Sequence, residues 1–370
     1  MLFVSMLQYI ANIRMPTEKA HGAQIMKTCE AFARLGTSVE LIVPKRHTAI
    51  TEDPFAYYKV ERNFSITYVP VFDLVWLGRI GFWFETLSFS ISALWYVLTH
   101  ADALIYSRDE VPLWCISFFK ASVVWESHTG RFNFFTKRLL NANRTCIVIS
   151  KGLKSWYEEK SVKAGFVVAP DAIDLAAFSN TESKEAARAR LNLPFNKKII
   201  LYVGRLDGWK GVSTLLEASK KLSSDFTVAL IGGEKEEIKQ LSTIYPHAIF
   251  LGSRTYAELA DNQAAGDVLV LPNTGKEIIS ARFTSPMKLF SYMAAERPII
   301  ASDLPSIREV LNEKNAVFFT PDDPESLAHA IESLLSQPEH MESMIVQSKR
   351  EVAKYTWDVR AKTILNAIDK

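Results

Sequence analysis

The stretch Tyr202-Val203-Gly204-Arg205-Leu206-Asp207-Gly208-Trp209-Lys210-Gly211 decides how this chain is read. Before it runs Lys198-Ile199-Ile200-Leu201, an apolar segment of strand length. After it comes Val212-Ser213-Thr214-Leu215-Leu216-Glu217-Ala218, with apolar residues at helical spacing. A glycine, an arginine and a lysine therefore sit at a strand-to-helix turn. Backbone N–H groups at such a turn and the positive end of a helix dipole favour an anion. Arg205 adds a planar fork for phosphate oxygens, and Lys210 adds a compact charge. The turn reads as a diphosphate clamp, with two solvated surface charges as the plain alternative. Open parallel sheets bind ligands at this end of their strands, which favours the clamp.

Working outward, strand-like and helix-like segments alternate along the chain. Strands are expected at 2–7, 38–43, 66–69, 103–106, 122–125, 145–149 and 166–169, and then at 198–202, 227–231, 248–251, 268–271, 298–301 and 316–319. Helices begin near Gly22, Ile80, Val111, Arg131 and Lys151, with Ser150 as an N-cap. In the second half they begin near Gly211, Glu234, Thr255, Pro286, Pro305 and Pro324, and a last one spans 356–368. This rhythm predicts an α/β fold of two Rossmann-like doubly wound domains facing a central cleft. The rhythm breaks between Pro170 and Asn196, so the boundary falls there: domains at 1–170 and 171–354, then a C-terminal helix at 355–370.

Composition narrows the function. A length of 370 residues and 48% hydrophobic content suit two cores. A net charge of +2 argues against a nucleic-acid or other polyanion binder. Cys29, Cys115 and Cys146 are widely spaced and odd in number, which fits a reducing, cytoplasmic setting. Met1-Leu2-Phe3-Val4-Ser5-Met6-Leu7 lacks a basic n-region and reads as a first strand rather than a signal peptide. No Asp-x-Asp pair or histidine cluster suggests a metal. The apolar, aromatic stretch 80–98 is interrupted by Glu85 and serines, which speaks against a spanning helix. It reads first as a buried core helix and second as an interfacial anchor using Trp76, Phe82 and Trp83.

Three blocks of the second half carry a resemblance: the stretch 203–211, then Ala265-Gly266-Asp267-Val268-Leu269-Val270-Leu271-Pro272-Asn273, then Thr284-Ser285-Pro286-Met287-Lys288-Leu289-Phe290-Ser291-Tyr292-Met293-Ala294-Ala295. With Pro298-Ile299-Ile300-Ala301-Ser302-Asp303-Leu304-Pro305 and Val168-Ala169-Pro170-Asp171-Ala172-Ile173-Asp174, the chain resembles the family-4 retaining glycosyltransferases of the GT-B fold over nearly its whole length. The resemblance implies a nucleotide-sugar donor, UDP- or GDP-linked, bound by the second domain, and no further cofactor. It implies an acceptor that is a glycan or lipid-linked glycan, held by the first domain. It also implies a final helix that crosses back onto the first domain, and a cytoplasmic enzyme with peripheral contact at the inner face of a membrane.

The family's diphosphate-binding Arg and Lys map onto Arg205 and Lys210, beside Gly204. Thr284 and Ser285 are placed to meet the same phosphates at a helix N-terminus. Lys288, one turn further, reads equally as a phosphate contact and a solvated lysine. Two family glutamates, eight positions apart, are replaced by Phe283 and Ser291; a weaker ribose contact falls to Ser291. Glu277 is a candidate sugar contact or an exposed loop carboxylate. Base recognition falls on the Gly252-Ser253-Arg254-Thr255-Tyr256 turn, with Arg254 as its side chain. In the first domain Val123-Val124-Trp125-Glu126-Ser127-His128 resembles the strand ending in the family's active-site histidine, which maps to His128. Glu126 reads as its structural partner. His21 and Gly22 are candidates for phosphate or acceptor contact in a loop. Arg108 and Asp109 are acceptor-side candidates or a mutual ion pair. Two rival readings share the plan: a sugar-nucleotide epimerase, and a non-catalytic binding subunit suggested by the missing glutamates.

Overall fold

Valine, isoleucine and leucine fill the strands on both faces, the pattern of a parallel sheet covered by helices on each side. The computed structural model describes residues 5–369 except 101, 143, 144, 161 and 207. It divides into two units, residues 1–170 with 357–370, and residues 171–356.

Unit 1 is built on seven strands: β1 Met6–Ile10, β2 Ser38–Pro44, β3 Ser65–Val69, β4 Leu104–Ser107, β5 Val123–Ser127, β6 Thr145–Val148 and β7 Gly165–Val168. Their order is β3-β2-β1-β4-β5-β6-β7, and every described pairing is parallel. The order reverses between β1 and β4, which places a crevice at the carboxyl ends of those strands. Strand β1 runs further than its expected 2–7, of which residues 2–4 lie outside the described residues. Gln8 belongs to it although polar, because its amide donates to the buried Glu40 carboxylate at 2.9 Å.

Unit 2 holds six strands: β8 Lys198–Val203, β9 Phe226–Ile231, β10 Ile249–Phe250, β11 Val268–Leu271, β12 Ile299–Ser302 and β13 Val317–Phe319. Their order is β10-β9-β8-β11-β12-β13, again parallel, with the reversal between β8 and β11. Alternation along β8 sends Ile199 and Leu201 into one core and Ile200 and Tyr202 into the other. Asp267 braces the entry to β11: it accepts from the Ile199 N–H at 2.6 Å and from Arg188 at 2.5 Å. Burial pulls that carboxyl up, but the N–H and the guanidinium outweigh it and hold it below its ordinary range.

The final helix, Trp357–Ile368, belongs to unit 1 and packs on the helix Ala20–Arg34. Arg34 pairs with Asp358 at 2.8 Å, and the buried Arg360 donates to the Pro170 carbonyl at 3.0 Å. A helix at Pro338–Val352 has no counterpart in the expected pattern. Its start is the Gln337–Pro338 step, where proline suits the first helical turn.

The segment 80–98 does not form a buried helix, and this corrects the first expectation. It lies within the helix Gly78–Thr99, which is inside-out. Small and polar residues (Gly81, Glu85, Thr86, Ser90, Ala93) face the protein along with Phe89 and Val97. Ile80, Phe82, Trp83, Phe84, Leu87, Ile91, Trp95 and Leu98 face outward, with Trp83 53% and Trp95 65% exposed. Trp76, just before the helix, is 79% exposed. A contiguous apolar face of this size on a folded unit marks an interaction surface. Among the described residues no helix is long and apolar enough to cross a membrane.

Candidate active site

In unit 2 the turns after β8, β9 and β10 form a glycine rim. Gly204 (φ 150°), Gly232 (φ 126°) and Gly252 (φ 71°) lie at successive strand ends. A Cβ on Gly232 would collide with the Gly204 carbonyl, and the Gly232 N–H donates to the Gly252 carbonyl at 2.8 Å. The Arg205 turn and the Arg254 turn are thus locked backbone to backbone, and both arginines are exposed. Gly211 (φ 71°) is the second point where only glycine fits. A side chain there would strike the Pro272 carbonyl at the end of β11, so the Lys210 turn is pressed against the sheet's reversal point.

Tyr202 ties two cations together. Its hydroxyl donates to the Arg205 carbonyl at 2.6 Å and accepts from the Lys288 ammonium at 3.1 Å. Lys210 lies over the Trp209 ring, 3.3 Å from its centroid. Lys288 is therefore not simply a solvated helix lysine. Three cations, Arg205, Lys210 and Lys288, stand on elements that meet at the β8–β11 reversal, an arrangement suited to a multiply charged anion.

The helix Met287–Ala294 is capped by Pro286 without a side-chain bond, so Ser285 is not its N-cap. Ser285 and Thr284 are buried, and the Ser285 Oγ accepts from the Asp171 N–H at 3.1 Å. Ser291 is fully buried; its Oγ accepts from Gln263 at 2.8 Å and donates to the Lys288 carbonyl at 2.9 Å. A ribose contact from Ser291 does not fit that environment, because the hydroxyl is enclosed and engaged on both sides. Phe283 is buried at the end of a single π-helical turn, Ile279–Phe283, where it packs as an apolar side chain. Glu277 is exposed in the loop whose Thr274 and Gly275 are held by Asp322.

In unit 1 the buried Glu126 organises the strand end of β5. One of its oxygens accepts from Gln24 at 3.1 Å, from Arg360 at 2.5 Å and from His128 Nε2–H. The Tyr106 hydroxyl donates to the other. Burial would raise this carboxyl, but the positive charge of Arg360 and His128 holds it well below the usual carboxylate range. Glu126 therefore fixes His128 by its Nε2 side. Arg108 and Asp109 do not pair with each other. Arg108 donates to Gln24 at 2.8 Å, while Asp109 accepts from the Asn12 N–H at 2.6 Å.

His21 and Gly22 lie in the first turn of Ala20–Arg34 rather than in a loop. Gly22 is small for an internal reason: a Cβ would collide with the Tyr58 hydroxyl, which is bonded to both backbone groups of Thr17. Burial, then the charges of Arg108, Lys19 and His128, pull the His21 imidazole down from 6.5 to about 4. Folded His21 binds its proton more weakly than the unfolded chain does, so its contribution lowers stability as pH falls from 6.5 towards 4. An NMR titration is expected to show His21 neutral at physiological pH with a midpoint near 4. A midpoint at its ordinary value would place the ring in solvent.

Two members of these clusters have no place among the expected site residues: Arg360, which closes the Glu126 cluster, and Asn12, which holds Asp109. Arg360 carries a signal, an arginine in the apolar stripe of an amphipathic helix; Asn12 carries none.

Two parallel Rossmann-like units, each with polar groups at its sheet reversal, define the GT-B class of transferase folds. Residues 197–337 match the family described as glycosyl transferases group 1. The phosphatidyl-myo-inositol mannosyltransferase of Mycobacterium leprae is 26% identical over 295 residues, covering 74% of this chain and 75% of that protein. Other mycobacterial proteins of that name are covered over 56% to 58% of their length. Among solved structures, sucrose-phosphate synthase from Thermosynechococcus elongatus superposes with a TM-score of 0.79 at 19% identity, over 97% of each chain. HepE from Anabaena, solved in complex with UDP and glucose, gives 0.77 at 14% identity, over 99% of this chain and 100% of that one. Its second unit thus matches the group-1 glycosyl transferases and its whole length shares the fold of these solved structures, in line with the family-4 resemblance of the sequence.

Proposed function

We propose that this protein moves a hexose-type sugar from a UDP- or GDP-linked donor to a hydroxyl of a glycan or lipid-linked glycan, with retention at the anomeric carbon. The observation that carries the donor half is the tie from Lys288 through Tyr202 to Arg205, at the strand reversal where the Lys210 turn also packs. Arg205 and Lys210 stabilise the charge that develops on the departing diphosphate, in place of a metal ion. Lys288 binds the same group. Thr284 and Ser285 shape the pocket's wall, Gly204 lets the phosphates approach the backbone, and Arg254 and Glu277 flank the base and sugar ends. In unit 1 His128, held by Glu126, takes the part of the family's active-site histidine. In retention, the leaving phosphate takes the acceptor proton on the same face.

A thermal-shift panel with UDP, GDP, ADP and their hexose conjugates tests the donor half. Ligand at 100 times its Kd adds about 2.7 kcal/mol to the folded state. The expected result is a shift with one nucleotide, larger with one conjugate. Silence across the panel would favour a second reading, a non-catalytic binding subunit. That reading draws on Phe283 and the enclosed Ser291 standing where the family carries glutamates.

The lipid half draws on the inside-out helix Gly78–Thr99. Tryptophans suit the headgroup boundary, and this helix offers them beside aliphatic side chains with no charge on the outward face between Ile80 and Leu98. Phe118 and Phe119, in the turn after the helix Glu110–Ile116 that packs on it, and Phe134 on the next helix add exposed rings, with Arg138 stacked 3.5 Å over Phe118. The full chain is expected to float with phosphatidylglycerol vesicles and to lose most of that recovery on Trp76→Ala/Trp83→Ala. Equal recovery of both proteins would argue for a soluble acceptor.

A further inference from the structure

The Glu126 carboxylate is filled on every side. Its Oε1 accepts from Gln24 Nε2 at 3.1 Å, from Arg360 Nη2 at 2.5 Å and from His128 Nε2–H, and the Tyr106 hydroxyl donates to Oε2. An ionised carboxylate offers about four lone-pair sites, and these donors take them up. Because a carboxylate only accepts, two of the donors have no choice of orientation. The imidazole must turn an N–H towards it, and the Gln24 amide must turn its nitrogen. The Gln24 oxygen is left on the other side, where it accepts from Arg108 Nη1 at 2.8 Å. One buried carboxylate thereby aims two partly exposed side chains, His128 after β5 and Arg108 after β4.

Arg360 comes to this carboxylate from the last helix. Its buried guanidinium is engaged along the whole fork: Nε donates to the Pro170 carbonyl at 3.0 Å, Nη1 to Thr28 Oγ1 at 3.4 Å, and Nη2 to Glu126. A planar fork held at three points has one position. Thr28 in turn donates to the Gln24 carbonyl at 2.7 Å, so the guanidinium and the amide share one frame.

The charge balance makes Arg360 more than a brace. Tyr9 from β1 and Tyr106 from β4 also face the carboxylate; burial, then the charge of Glu126, pushes both phenols up, and they stay neutral. Cys29, beside Tyr9, stays a thiol because burial pushes it up as well. Asp109, Arg108 and His21 stand around the imidazole. With Arg360 in place, His128 donates to a carboxylate whose charge is already met. Without it, the same oxygen would present an unmatched negative charge to the ring and draw a proton onto it.

We propose that Arg360 is a positioning residue for the transfer reaction: it holds the Glu126 carboxylate and meets its charge, so that His128 and, through Gln24, Arg108 keep one orientation. The inference rests on the reading of this chain as a transferase in which His128 serves the reaction. It adds a buried residue of the last helix that acts through Glu126 rather than on the reacting atoms.

The test compares the full chain as wild type, Arg360→Gln and the paired variant Glu126→Gln/Arg360→Gln. An NMR titration of the His128 ring, assigned by its absence in His128→Asn, needs no substrate. Turnover is read with the sugar nucleotide that raises the melting temperature most. In Arg360→Gln the His128 midpoint is expected to move up, and kcat to fall about ten- to a hundred-fold with KM changed far less. The paired variant leaves no buried charge unmatched. Its midpoint is expected to return to the wild-type value or below, and its turnover to exceed that of Arg360→Gln by about tenfold. An unmoved midpoint in Arg360→Gln, or a paired variant no faster than the single one, would overturn the proposal and leave Arg360 a structural brace. If Arg360→Gln does not fold, the paired variant decides: turnover within about tenfold of wild type supports the role, and a larger loss from a folded protein overturns it. A moved midpoint with normal turnover overturns only the positioning role. A wild type that turns over no sugar nucleotide overturns the transferase reading.

Discussion

Arg205→Ala and Lys210→Ala are each expected to lower turnover by roughly a hundred- to a thousand-fold, the loss seen when one preorganised charge-stabilising group is removed. The fall belongs in kcat more than in KM, because the diphosphate gains charge only as the sugar leaves. Stability is expected to change little. Arg205 is exposed, and exposed substitutions stay within about 0.5 kcal/mol. Lys210 gives up its position over Trp209, a cation–π contact of about 0.5–1 kcal/mol. The measurement is steady-state turnover with whichever sugar nucleotide raises the melting temperature, paired with urea unfolding of each variant. Near-normal turnover in both would remove the clamp from the mechanism. Lost turnover with an equal loss of stability would make these residues structural instead.

The second large effect lies in unit 1. Arg360→Leu strips the buried Glu126 of its guanidinium, 2.5 Å away, and with it the bond to the Pro170 carbonyl. Breaking a buried pair by removing one partner costs about 3–5 kcal/mol, a large share of the 5–15 kcal/mol that holds a typical domain. The pH dependence gives a check that lost packing would not reproduce. Glu126 is held below its ordinary value of 4.5 in the folded state, so its contribution is present above that value and fades as pH falls through the depressed one. The gap between wild type and variant should therefore narrow in acid. A gap of the same size at neutral and acid pH would assign the loss to packing alone. Tryptophan fluorescence is a suitable probe, since Trp209 is the one tryptophan of eight that lies in unit 2.

Much of this architecture is legible in the amino-acid sequence. Continuous apolar runs such as Lys198–Val203, each followed by a helical period, are what a doubly covered parallel strand requires, and both sheets follow from them. Ser150 reads as an N-cap because its hydroxyl is the right group one residue before the helix, and it does accept from the Leu153 N–H at 3.1 Å. The inside-out helix was not legible. Hydropathy counts apolar residues without saying which side they face, and here the small and polar residues take the protein side. Nor was the Glu126 cluster, since nothing local announces that an arginine 234 positions away will meet a glutamate at the end of β5. Gly22 carries a long-range demand of the same kind: a side chain there would meet the hydroxyl of Tyr58, thirty-six positions on.

That long reach between Glu126 and Arg360 also sets an order of events during synthesis. Chains emerge N-terminus first at about 5–20 residues per second, so Arg360 leaves the ribosome roughly 10–50 s after Glu126. Throughout that interval the nascent first unit holds the anion without its countercharge and exposes the groove on Ala20–Arg34 that the last helix will fill. Unit 2 is complete by residue 356 and needs nothing that follows. The part of the protein translated first is therefore the part finished last, and a chain released after residue 356 would carry a complete second unit joined to an unsealed first one.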